Sequence, residues 1–177
     1  MAQVILIVGV PGAGKSTVAR ALAARYDRSA CIEGDFVQHG FTVSGLVPPD
    51  QGPAEESHRQ MQLRWRNCAA LADNFVDDGF TVVVEHAASD RYWIDFFEDL
   101  LRARPLSVIV LAPTREVAIE RDRSRPEKQV AHLFDHMDAD LRINLADTGW
   151  WLDTSNLTVE QTVDALFDEG VSNGVVR

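Results

Sequence analysis

The sequence predicts an α/β domain built on a mostly parallel β-sheet, and three observations carry that expectation. Short apolar runs rich in Val, Ile and Leu recur at 4–8, 80–84 and 106–111, as expected for strands buried on both faces. Between them stand segments whose apolar residues repeat at helical spacing. Strand and helix alternate from end to end, the pattern of parallel strands joined by right-handed crossovers.

The elements follow in order. Val4–Val8 is a continuous β-branched and aliphatic run, with Gly and Pro directly after it. Residues 17–25 read as a helix with Val18, Ala19, Leu22 and Ala23 on one side. A short strand is expected over 30–33, and 40–53 is rich in Gly and Pro, hence a loop. Met61, Trp65, Cys68, Ala72 and Phe75 repeat at spacings of 4, 3, 4 and 3, which predicts a long helix over 55–77 that Gly79 ends. Residues 80–84 form a buried strand ending at Glu85-His86, and Asp90 caps a helix carrying Trp93, Phe97, Leu100 and Leu101. Leu106–Leu111 is the fourth strand. Thr114 caps a helix that runs into an arginine cluster and is interrupted by Pro126. Val130, Leu133, Phe134, Met137 and Leu141 suggest a further helix, and Trp150–Leu152 a fifth strand. Thr158 and Gln161 make a capping box for a last helix, after which 171–177 reads as a loose tail. The whole chain, 1–177, is expected to be one domain.

Composition narrows the function. The chain has 177 residues, 46% of them hydrophobic, and a net charge of −10. An acidic surface repels phosphate backbones, which argues against a general nucleic-acid partner. No apolar run approaches the roughly 20 residues of a membrane span. Cys31 and Cys68 form neither a metal-spaced pair nor a disulfide framework, so they read as small core residues in a reducing cytoplasm. Positive charge is concentrated locally: Arg102, Arg104, Arg115, Arg121, Arg123, Arg125 and Lys128 are seven of the 17 basic residues.

Gly9-Val10-Pro11-Gly12-Ala13-Gly14-Lys15-Ser16 satisfies G-x-x-x-x-G-K-[ST] in full, between a buried strand and a helix. Such a loop turns main-chain N–H groups onto phosphate oxygens, and the following helix adds its positive end. Lys15 is spaced to reach the β- and γ-phosphates, and the Ser16 hydroxyl to ligate Mg²⁺. A dinucleotide fingerprint is excluded, because reading it from Gly12 demands glycine where Thr17 stands. No N-K-x-D tetrapeptide occurs, which argues against a guanine-nucleotide switch.

Glu33-Gly34-Asp35 follows the second strand at the edge where the phosphate loop opens. Phosphoryl transfer to a hydroxyl needs a carboxylate at the attacking oxygen, and Asp35 is placed for it. Glu33, on the same face of the strand, is a candidate for the metal's water shell. An acidic strand end is the alternative reading. Glu85 also ends an apolar strand and competes with Glu33 for the metal role. His39, His86 and Arg91 are weaker pocket candidates, and Trp65 and Trp93 sit on apolar stripes that favour core packing.

These motifs resemble the small-molecule P-loop kinases, among them gluconate kinase, shikimate kinase and chloramphenicol phosphotransferase. Residues 9–17 match their phosphate loop, including Thr17. Glu33-Gly34-Asp35-Phe36 resembles the gluconate kinase D-G-D-F turn, with Glu in place of the first Asp. Arg121-Asp122-Arg123-Ser124-Arg125-Pro126 resembles the R-x-x-x-R lid signature, and Asp153-Thr154-Ser155 the loop along the adenine. The resemblance implies a P-loop NTPase three-layer sandwich whose five parallel strands run in the order 2-3-1-4-5. It implies ATP and Mg²⁺ as cofactors and a kinase acting on a hydroxyl of a small molecule, whether a sugar acid, a metabolite or an antibiotic. Asp35 is then the catalytic carboxylate. Arg125 covers the transferring phosphoryl group, and Arg121, Thr154 and Ser155 flank the nucleotide. A lid is expected at about 121–145 and an acceptor-capping region at about 36–77. The competing readings are a regulatory ATP-binding module and a nucleotide or polynucleotide kinase. The oligomeric state, monomer or homodimer, is left open.

Overall fold

The computed structural model describes residues 2–48, 52–102, 105–124, 130 and 136–176. In chain order these form β1 (Val4–Val8), α1 (Lys15–Ala23), β2 (Ser29–Glu33), α2 (Gly34–His39), α3 (Ala54–Asp77), β3 (Thr81–His86) and α4 (Arg91–Leu100). There follow β4 (Leu106–Leu111), α5 (Arg115–Arg123), α6 (Met137–Asn144), β5 (Trp150–Leu152), α7 (Val159–Ala165), a π-helical turn (Leu166–Gly170), α8 (Val171–Asn173) and β6 (Val175–Val176).

Every side chain of β1 is apolar and fully buried, so the strand needs a layer on both faces and a neighbour on both edges. It pairs in parallel with β3, Val4 opposite Val82, and with β4, Val4 opposite Leu106. β2 lies outside β3 and β5 outside β4, giving the order β2-β3-β1-β4-β5. Alternating residues send side chains to opposite faces, and each face has its own core. Val4, Leu6, Val82 and Val84 pack with Trp65, Cys68 and Ala72 of α3 and Phe97 of α4. Ile5, Ile7, Val83 and Ile109 pack with Val18 and Leu22 of α1, Ala118 of α5 and Val163 of α7. Trp65 thus packs in the core, as its stripe predicts, and Cys31 and Cys68 are free thiols, Cys68 fully buried.

The helix starts read from the sequence are capped as expected. Asp90 accepts from the Tyr92 amide at 2.9 Å, and Thr158 and Gln161 make both bonds of a capping box.

Three features differ from expectation. The Glu33–Asp35 segment is not a free turn: β2 runs directly into α2, with Glu33 at the N-cap and Asp35 in the first turn. The helix expected from Val130 to Leu141 is seen as α6, and 131–135 lie outside the described residues. The tail from 171 is not loose. β5 covers β4 only at Ile109–Leu111, and the lower half of that edge needs partners for its backbone groups. The chain's last turn supplies them: β6 pairs antiparallel, Leu106 opposite Val176, the Val108 amide donates to Gly174 O at 2.8 Å, and Ser107 Oγ donates to Val171 O at 2.7 Å.

Candidate active site

Parallel strands in register bring their C-terminal ends to one edge. Val8 lies opposite His86 on one side and Val110 on the other, and Glu33 lies opposite Glu85. The loop 9–14 leaves β1 at that edge and enters α1. A Cβ on Gly12 would stand 2.0 Å from the Ala118 carbonyl oxygen, so α5 packs its backbone directly on the loop. Gly14 is the N-cap of α1, left-handed at φ 91°, and a Cβ there would meet nothing within 4 Å. The loop therefore closes on the protein at Gly12 and opens at Gly14. The Ala13 amide donates to Val10 O at 3.2 Å, fixing the bend after Pro11. Lys15 is buried and its Nζ donates to Val10 O at 3.0 Å, so its ammonium lies folded against the loop. Thr17 is exposed in the first turn of α1.

Ser16 Oγ lies 3.3 Å from Glu85 Oε1. Glu85 is 5% exposed, and burial raises its pKa against the pull of Lys15 and the Ser16 hydrogen bond. Asp35 and Glu33 raise it further, which places Lys15, Ser16, Glu33, Asp35 and Glu85 in one electrostatic neighbourhood. Of the two acids considered for the metal, Glu85 is the one bonded to Ser16. The Glu33 carboxylate instead accepts from Arg20 Nε of α1 at 2.5 Å. A hydroxyl and a carboxylate beside a buried ammonium suit Mg²⁺ carried on a nucleoside triphosphate, since this ion takes oxygen ligands and retains waters. Among the described residues, no group of three or more His, Cys, Asp and Glu side chains offers a metal site by itself.

Asp35 faces a residue that the sequence reading missed. Arg64 of α3 is 4% exposed, and its Nη1 donates to Asp35 Oδ1 at 2.8 Å. Its signal was a charge on a core stripe: position 64 shares a helix face with Met61, Trp65 and Cys68. Burial lowers the Arg64 pKa and the Asp35 carboxylate works against that shift. His86 is buried on the same side, its ring stacked on Trp65 at 3.9 Å between centroids. A Cβ on Gly34 would stand 2.4 Å from His86 Cδ2, so His86 props the start of α2 and, through it, Asp35. Gln38, one turn beyond Asp35 on α2, is also buried, and with Arg64 it lines a cavity of about 420 Å³ between α2 and α3. His39 is exposed, and Arg91 is bonded to Asp95 and Thr148.

On the far side, Arg121 donates through Nη2 to Thr154 O at 2.7 Å and through Nη1 to Thr154 Oγ1 at 3.2 Å. Ser155 Oγ accepts from the Thr114 amide at 2.8 Å. The three residues expected along the nucleotide base are thus brought together between α5 and the loop after β5. Of the expected lid, residues 125–129, Arg125 and Pro126 among them, and 131–135 lie outside the described residues.

The same fold recurs in known structures. A sugar kinase from Janibacter sp. HTCC2649 superposes with a TM-score of 0.72 at 20% identity, over 98% of this chain and 97% of that one. The tunicamycin resistance protein of Deinococcus radiodurans gives 0.70 at 20% identity, over 100% and 99%. Shikimate kinase from Acinetobacter baumannii, in complex with shikimate, gives 0.61 at 18% identity, over 98% and 95%. At these identities the likeness establishes the α/β P-loop fold. No curated protein matches the chain in sequence. Residues 4–142, which hold the phosphate loop, Asp35, Arg64, Glu85 and Arg121, match the AAA domain family AAA_33, and the chain belongs to that family.

Proposed function

We propose that this protein is an ATP- and Mg²⁺-dependent phosphotransferase that moves the γ-phosphoryl group to a hydroxyl of a small molecule. One observation carries the reading: the phosphate loop with Lys15, the Ser16–Glu85 pair and the Arg64-bonded Asp35 carboxylate meet at one sheet edge. A module that only bound nucleotide would need the first two and not the third. The kinase likenesses among known structures support the same reading.

Loop amides of residues 9, 10 and 12–14, with Lys15, Ser16 and Thr17 at the start of α1, hold the phosphates, and Lys15 swings from Val10 O to the β- and γ-oxygens. Mg²⁺ would be held by Ser16 with Glu85 behind it, and supplies charge neutralisation on the phosphates. Asp35 orients the acceptor hydroxyl and takes its proton as the new O–P bond forms and the bond to the β-phosphate breaks. Arg64 holds the Asp35 carboxylate in place from the core side. Arg121, anchored on Thr154, sits at the base side together with Ser155, and Arg125 is assigned to the transferring phosphoryl group. The cytoplasm, where ATP and Mg²⁺ are abundant, is the compartment this chemistry implies.

The test is an acceptor screen with γ-labelled ATP. Labelled product should form only when an acceptor is present, and Lys15→Ala should lower transfer by at least about 10²-fold while the fold survives. Steady phosphate release indifferent to every acceptor would refute the phosphotransferase reading in favour of a regulatory ATPase.

A further inference from the structure

Resting on that phosphotransferase reading, we propose that the cavity between α2 and α3 takes an uncharged polyhydroxy compound, a sugar or cyclic polyol, and not an acid. The cavity begins one helical turn from Asp35, since Gln38 lies three residues further along α2, a rise of about 4.5 Å. Its volume of about 420 Å³ falls within the ~300–1,000 Å³ range of small-molecule sites. Polar side chains of Gln38, Thr42, Ser44, Gln60, Arg64 and Asn67 line it together with the aliphatic side chains of Val37 and Leu63. Among the described residues no aromatic ring lines it, so these offer no aromatic stacking platform for a nucleobase.

Among the described residues its charges are already paired. Arg59 donates twice to Glu56, at 2.8 and 2.7 Å, and Arg64 donates to Asp35 at 2.8 Å. The Arg59 hydrogen bonds pull the Glu56 carboxyl down to about 2, so that pair is ionised on both sides at neutral pH. An acceptor carboxylate entering here would add a third negative charge beside Glu56 and Asp35, each of which already faces its one guanidinium.

The groups left to a ligand call for hydroxyls. Among the described residues, Gln38 Oε1 and Arg64 Nε are buried without a partner, and both residues line the cavity. Trp65 Nε1 and His86 Nε2 are also buried and unpartnered, but neither residue lines the cavity. His86 Nδ1 lies 2.9 Å from the Ala87 carbonyl, which only accepts, so Nδ1 carries the proton and Nε2 is an acceptor. Of the unpartnered atoms, the cavity-lining residues therefore supply one acceptor, Gln38 Oε1, and one donor, Arg64 Nε. A hydroxyl satisfies either kind, whereas a carboxylate only accepts. Buried polar atoms in a native fold are rarely left unpaired, and their clustering here points to a ligand that completes them.

The experiment gives the wild-type enzyme, with Mg²⁺ and γ-labelled ATP, size-matched neutral and acidic acceptors such as glucose with glucuronate and myo-inositol with quinate, and extends to neutral hexoses, pentitols and disaccharides. Ligand-observed NMR measures their binding in parallel. The neutral member should bind at least about 10-fold more tightly and show the higher kcat/KM. Gln38→Leu should weaken polyol binding about 10-fold with nucleotide affinity unchanged. Glu56→Gln, which frees the Arg59 charge, should narrow the neutral preference. Preference for the acid within the pairs, or a panel in which no neutral compound binds more tightly than its acid, overturns the proposal. Transfer to an acid would leave the phosphotransferase reading standing while the polyol proposal fell. Polyol binding with no label transferred would support the cavity assignment and refute the phosphotransferase reading.

Discussion

Asp35 and Arg64 form an ion pair whose two halves live in different solvents, and their removal should have unequal costs. The Arg64 side chain is 3% exposed and that of Asp35 57%. Cutting Asp35 back to Ala leaves a guanidinium enclosed by α2, α3 and β3 with no carboxylate. Removing one partner of a buried pair costs about 3–5 kcal/mol when both partners are enclosed. Here water reaches the Asp35 side and takes up part of the charge, so about 2 kcal/mol is the expected loss. For a domain of this length that corresponds to a fall in Tm of roughly 4–8 °C. Arg64→Met does the reverse. It removes the desolvated charge and the unpartnered Nε, leaves Asp35 hydrated, and fills the space beside Met61 with a flexible thioether. Its stability should stay within about 1 kcal/mol of wild type or rise. The double variant should recover most of what Asp35→Ala loses. Thermal and urea unfolding of the four proteins make the cycle. If Arg64→Met proved the more damaging of the two single changes, the reasoning from burial would be wrong. Transfer rates would fall in both single variants, by about 10²–10⁴-fold for Asp35→Ala, and only the stability asymmetry separates the pair's two jobs.

Three further outcomes follow from the geometry. Gly12→Ala forces a Cβ to within 2.0 Å of the Ala118 carbonyl at φ 81°, so it should cost at least about 1–3 kcal/mol and weaken ATP binding; unchanged urea unfolding would contradict that contact. Glu85→Gln should raise the Mg²⁺ concentration needed for half-maximal transfer while raising Tm, since burial disfavours the carboxylate it replaces; a lower Tm at neutral pH would count against this. Burial depresses the His86 pKa well below 6.5, so the unfolded chain binds the extra proton first. Stability is therefore complete above the unfolded value and is lost as pH falls through about 6.5, by up to about 1.4 kcal/mol per pH unit. His86→Leu should flatten that slope between pH 6.5 and 5.5, as followed by urea unfolding, and an unaltered slope would exonerate His86.

How much was legible in the sequence depended on whether the physics is local. The phosphate loop reads directly because cradling phosphate demands particular residues at consecutive positions, and β1 because burial on both faces leaves an unbroken apolar run. Glu33 and Glu85 could not be told apart, since both end strands at the same edge and in the same register. Only the rotation of α1 decides that Arg20 takes Glu33 and Ser16 meets Glu85. The Asp35–Arg64 pair joins residues 29 positions apart, so its partner waits on how α3 docks. A charge on the Met61–Trp65–Cys68 stripe was nonetheless a readable anomaly. The docking of β6 was invisible for a different reason: it rests mainly on backbone hydrogen bonds, which no side-chain pattern announces.

That last strand has a consequence for how the chain folds as it is made. Synthesis delivers residues in order, and β4 acquires β1 and then β5 while the lower part of its outer edge still shows bare N–H and C=O groups. Those groups wait until residues 171–176 leave the ribosome, some 60 positions after β4 itself. During that interval the nascent domain carries an open sheet edge, the kind of surface on which another chain can build a strand. A chain arrested near residue 170 would keep the phosphate loop, Asp35 and Glu85 yet retain that edge permanently, so premature termination here predicts aggregation of a molecule in which the phosphate loop and both carboxylates are still present.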